Sequence, residues 1–135
     1  MPHLSIEYSA NLEGELDMTQ FCDHLRKAGI DTGLFPLAGI RVRAVRCEHF
    51  AIADGNPKHA FIDIAVRLRG GRPLDARKAA TAQIFAAAEE YLADITAKRP
   101  IALSLEMRDI DPELSPKLNT IRRYVTEAER NEDDH

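Results

Sequence analysis

Two cysteines, five scattered histidines and the absence of any long apolar run set aside several classes of protein at once. Cys22 and Cys47 stand inside apolar patterns without metal-ligand spacing, so they read as small buried hydrophobes rather than a disulfide or a zinc site. His3, His24, His49, His59 and His135 show no ligand spacing either, which argues against a bound metal. No apolar stretch approaches the roughly 20 residues of a membrane-spanning helix. The polar amino terminus has no secretory pattern, and a cytoplasmic location is the default expectation. A net charge of −4 lacks the basic excess of a general nucleic-acid-binding surface. A phosphate loop, a nucleophile elbow and a dinucleotide fingerprint are also missing. Neither nucleic acid nor membrane is therefore an expected partner.

What is present is an ordinary globular mixture: 135 residues, 44% hydrophobic and 30% charged, enough for one domain with a real core. Residues 3–9 alternate, with Leu4, Ile6 and Tyr8 on one side, and predict a strand. Asp17 and Gln20 resemble a capping box ahead of a helical stripe of Met18, Phe21, Cys22 and Leu25, with Gly29 as the expected stop. Residues 39–49 and 59–69 predict two further strands, separated by the turn-rich stretch 53–57. One long helix is expected from Leu74 to Lys98, its apolar face formed by Ile84, Phe85, Ala88, Tyr91, Leu92 and Ile95. Residues 101–107 predict a fourth strand, and Leu118, Ile121 and Val125 suggest a short terminal helix.

The order strand–helix–strand occurs twice. The fold class is α+β: tandem β-α-β units forming a four-stranded mixed sheet with two helices on one face. The expected domain is residues 1–119, in halves of about 2–56 and 57–119, with 120–135 an acidic extension. The other sheet face carries Val45, Cys47, Phe61, Ala65 and Ala102 and is not fully polar, which predicts association with further copies.

The chemistry is concentrated at one edge of this sheet. A helical crossover makes the first two strands parallel, so Pro2 and Arg41 start at the same edge. The third strand returns antiparallel, and Arg72 lies just past its end. If Met1 is removed, Pro2 carries a free secondary amine, for which the reference pKa of an α-amino group is about 7.7–8.0. Burial beside cations lowers such a pKa and keeps the amine available as a base. Guanidiniums bind carboxylates with paired hydrogen bonds and stabilise an enolate. Each residue also has a plainer explanation. Pro2 fits the start of an edge strand, Arg41 and Arg43 fit a solvent-facing strand face, and Arg72 fits a loop. Arg77 is expected to join the rim or to pair with an acid. Glu106 is expected to serve as an arginine's partner rather than as a catalytic acid.

Several segments carry a resemblance: Pro2-His3, the run from Gly33 to Arg43 containing Phe35-Pro36-Leu37-Ala38-Gly39-Ile40-Arg41, and Ala53-Asp54-Gly55. Gly71 to Arg77 and Ala102 to Glu106 add to it. In that order, and from Pro2 to about Asn119, the chain resembles the 5-carboxymethyl-2-hydroxymuconate Δ-isomerase family of the tautomerase superfamily. The resemblance implies a homotrimer of tandem β-α-β chains that needs neither cofactor nor metal. It implies that Pro2 moves a proton, that Arg41 and Arg72 hold carboxylates of a small dienol acid, and that the reaction serves breakdown of homoprotocatechuate. The charged carboxyl terminus and Arg46-Cys47-Glu48-His49-Phe50 depart from the family pattern. Action on another keto-enol acid, or a non-catalytic trimeric binding role, are the alternatives.

Overall fold

A computed structural model describes residues 2–125. Met1 and most of the expected acidic extension lie outside the described residues. The first strand, β1 (His3–Ser9), is followed by a 3-10 turn and by helix α1 (Met18–Asp31). Then come β2 (Arg41–Cys47), β3 (Ala60–Arg69), α2 (Leu74–Tyr91), the short α3 (Ala93–Thr96) and β4 (Ile101–Ile110). The sheet order is β2-β1-β3-β4. β1 pairs parallel with β2 and antiparallel with β3, and β3 pairs parallel with β4. The duplicated β-α-β pattern is thus realised with each parallel pair bridged by a helix.

The strand alternation sorts the faces. Leu4, Ile6 and Tyr8 of β1 and Ile62, Ile64, Val66 and Leu68 of β3 are buried in one core with Phe21 and Leu25 of α1 and Ile84 and Ala88 of α2. Both helices therefore cover the same face, and the two central strands contribute the deepest residues. Asp17 caps α1 as expected, its carboxylate accepting the Gln20 N–H at 3.0 Å.

Three expectations need correction. Gly29 does not stop α1, which continues to Asp31; the turn to positive φ comes at Gly33, at 77°. Gly29 is instead a point of close approach, since a Cβ there would lie 2.6 Å from Ile40 Cδ1 and 2.8 Å from Phe35 Cδ2. The long second helix breaks at Leu92, whose ψ of 3° leaves helical geometry, so that α3 turns separately and seats Ile95 in the core. Among the described residues the terminal helix is a 3-10 turn, Ile121–Tyr124, and Leu118 and Ile121 stay exposed. Cys22 and Cys47 are free and only half-buried. Cys22 packs on the core, whereas Cys47 lies on the open face of the sheet near Glu7.

That open face is ordered by charge. Strand register places Arg41, His3, Arg67 and Arg108 in one row across all four strands. The next row is Arg43, Ser5, Ala65 and Glu106, and the one after it is Val45, Glu7, Asp63 and Ser104. The basic row lies at the Pro2 end, where β1 and β2 begin and β3 and β4 finish. Beyond β4 the chain runs back along this edge, and Asn119 Nδ2 donates to the Ala38 carbonyl at 2.9 Å.

Candidate active site

Pro2 enters β1 fully buried, and its carbonyl accepts the Arg41 N–H at 3.2 Å. A proline is tolerated at the first position of a strand because no ladder donor is needed there. The segment ahead of Arg41 explains the burial. Phe35 is anchored in the core, and the Pro36 carbonyl accepts the N–H groups of both Gly39 and Ile40 at 3.1 Å, which makes a tight turn. The turn brings Gly39 onto the proline ring: a Cβ at that position would lie 3.3 Å from Pro2 Cδ. Cδ is bonded to the ring nitrogen, so the missing side chain keeps room beside the atom that would carry a proton.

Two clefts meet at this edge and share Lys117 and Leu118. The smaller, of about 230 Å³, is walled by Pro2, Pro36 and Gly39 on one side and by Asn119 and Arg122 on the other. The larger, of about 540 Å³, is lined by His3, Arg41, Arg67 and Arg69. Pro2 thus lines the smaller cleft, and the cation-lined one shares Lys117 and Leu118 with it.

His3 reports the local field. Burial, then the charges of Arg67, Arg41 and Arg43, hold its pKa down from 6.5 to about 4. The ring is neutral at pH 7, and Arg41 Nη1 approaches its Nε2 at 3.3 Å while Arg43 Nη1 approaches its Nδ1 at 3.1 Å. Any amine in the same field is biased toward its neutral form for the same reasons.

The expected trio is brought together only in part. Pro2 and Arg41 are neighbours. Arg72, half-buried between β3 and α2, lines neither cleft of this single chain. Its carbonyl accepts from Arg77 Nε at 3.2 Å, and Arg77 also pairs with Asp109 at 3.5 Å. Arg77 thus holds the Arg72 loop to the end of β4. Glu106 is an arginine's partner, paired with Arg108 at 2.6 Å. Sequence reasoning missed Arg67, Arg69, Lys117, Asn119 and Arg122. Arg67 was within reach, because an antiparallel β3 had to place some residue opposite His3. The carboxyl-terminal residues gave no such signal, since Ser115-Pro116 marks only a break.

The family model described as 5-carboxymethyl-2-hydroxymuconate isomerase matches residues 2–125. The chain belongs to the 5-carboxymethyl-2-hydroxymuconate isomerase family. The match spans every residue that lines the two clefts. A protein of Escherichia coli named 5-carboxymethyl-2-hydroxymuconate Delta-isomerase is 31% identical over 121 residues, covering 90% of this chain and 96% of that protein. The crystal structure of a 5-carboxymethyl-2-hydroxymuconate isomerase from Deinococcus radiodurans R1 superposes with a TM-score of 0.85 at 30% identity, over 93% of this chain and 95% of that one. A fused 4-OT symmetric trimer, at 18% identity and TM-score 0.65 over 88% of this chain and 96% of that one, shares the tautomerase-like fold. Membership in the 5-carboxymethyl-2-hydroxymuconate isomerase family makes the chain an isomerase.

Proposed function

We propose that the chain converts 5-carboxymethyl-2-hydroxymuconate into its conjugated 2-oxo isomer, with Pro2 as the proton carrier once Met1 has been removed. The observation that carries this reading is the placement of Pro2: buried, hydrogen-bonded through its carbonyl to the Arg41 backbone, and lining a cleft that shares Lys117 and Leu118 with a cation-lined one. The neutral ring nitrogen takes the proton of the 2-hydroxyl group. The electron pair moves through the diene, and the prolinium returns the proton to carbon 5. The products of this transfer are a carbonyl at carbon 2 and a double bond between carbons 3 and 4, with no net gain or loss of protons. Positive charge nearby favours the intermediate dienolate and disfavours protonation of the resting amine.

Arg41 and Arg72 hold substrate carboxylates in this scheme. Arg72 reaches a site only if another subunit's edge is placed against it, which agrees with a homotrimer and with the trimeric 4-OT neighbour. The reaction belongs to aromatic catabolism through homoprotocatechuate and calls for no cofactor. The test is intact mass followed by turnover of 5-carboxymethyl-2-hydroxymuconate by wild type and Pro2→Ala. The expected result is a mass lacking Met1 and a fall in kcat of about 100-fold or more, the range of general acid–base catalysis. Retained Met1 with undiminished turnover would rule Pro2 out. Arg72→Ala is expected to raise KM about 10- to 100-fold, the worth of a charged hydrogen bond.

A further inference from the structure

We propose that Arg67 anchors the carboxymethyl arm of the substrate, making the cleft lined by His3, Arg41 and Arg67 a specificity site for a third carboxylate. The proposal rests on the isomerase reading above and goes beyond it. 5-Carboxymethyl-2-hydroxymuconate carries three carboxylates, one at each end of the muconate chain and one on the arm. Arg41 and Arg72 account for two of them, and the third needs a cation of its own.

The structure supplies one in the right place. Register sets Arg41 and Arg67 on opposite sides of His3 in one row. Strands lie about 4.8 Å apart, so the two arginine backbones stand roughly 10 Å from each other across that histidine. The arm and the nearer terminal carboxylate branch from the same carbon, and they call for two cations side by side. Arg41 and Arg67 line the same cleft, with Arg69 and Lys117 beside them.

The state of these cations also points to an anion. Among the described residues, Arg67, Arg69 and Lys117 form no ion pair, whereas Arg46, Arg77, Arg99 and Arg108 each have a carboxylate within 4.0 Å. Like charges gathered in one cleft repel each other, and a bound polycarboxylate relieves that repulsion. In the single chain Arg67 is exposed and lines this cleft. The guanidinium presents a planar fork matched to one carboxylate.

The test compares two acids that differ only in the arm. Arg67→Gln should raise KM for 5-carboxymethyl-2-hydroxymuconate about 10- to 100-fold while leaving KM for 2-hydroxymuconate within about twofold. Arg67→Lys, which keeps the charge but loses the fork, should recover part of the loss. Equal loss on both acids, or no change on either, would overturn the assignment. Binding of propane-1,2,3-tricarboxylate by calorimetry gives a readout apart from turnover. If wild type turned over neither acid but bound this tricarboxylate about tenfold more tightly than Arg67→Gln, the anchor would stand and the isomerase reading would fall. If Pro2→Ala abolished turnover while Arg67→Gln changed neither KM nor tricarboxylate binding, the anchor would fall and the isomerase reading would stand.

Discussion

Two arginine N–H donors converge on His3, yet a neutral imidazole has a single acceptor nitrogen. The tautomer therefore decides whether Arg41 or Arg43 is held, and an anion drawing on Arg41 favours the tautomer that accepts from Arg43. The same residue sets a pH dependence. The unfolded chain protonates His3 near pH 6.5, but the folded protein does so only near 4, because burial and the charges of Arg67, Arg41 and Arg43 oppose the imidazolium. Between those values the unfolded state binds more protons, so stability falls as pH drops from 6.5 to about 4. Denaturant midpoints across that window should decline more steeply in wild type than in His3→Asn; equal slopes would contradict the histidine's role. Gly39 carries a second residue-level prediction. An alanine Cβ would press on Pro2 Cδ from 3.3 Å, so Gly39→Ala should lower kcat about tenfold or more by displacing the ring, with little change in unfolding midpoint.

At the level of elements, α1 and the turn after it act as one positioning device. Gly29 lets Phe35 and Ile40 lie against the helix, and those two residues bracket the Pro36–Gly39 turn that covers Pro2. Gly29→Ala forces side chains from 2.6 and 2.8 Å contacts and should cost about 1–3 kcal/mol in denaturant unfolding. A loss near zero would mean that the helix and turn move apart freely. The sequence showed where the strands and helices run because strand alternation and helical periodicity both survive in the core. It did not separate a glycine that ends a helix from one that permits close packing, since both look alike until the partner side chains are in place. Likewise, Leu92 fits the helical stripe of α2, and only the three-dimensional path shows the break there.

On the scale of the whole molecule, topology made Pro2 and Arg41 neighbours, as the crossover rule required. The antiparallel return of β3 placed Arg72 at the same end of the sheet but could not say which cleft it lines. Within one chain it lines neither cleft, and the proposed role of Arg72 therefore calls for a neighbouring subunit. Val45 is 54% exposed on the open sheet face, and Phe50 is 39% exposed near Phe61, which gives assembly an apolar area to cover. Sedimentation should find three chain masses for wild type, and Val45→Glu should shift the protein toward single chains and reduce turnover in parallel. A fully active single-chain species would show that Arg72 is not needed from a neighbour.

The measurement that bears most directly on the central claim is titration of the Pro2 ring nitrogen by 15N NMR in the protein lacking Met1. A pKa well below the ordinary α-amino value of about 7.7–8.0 is predicted, because burial and the row of arginines oppose its protonation. A value at or above the ordinary range would contradict the placement of a neutral base at this edge of the sheet.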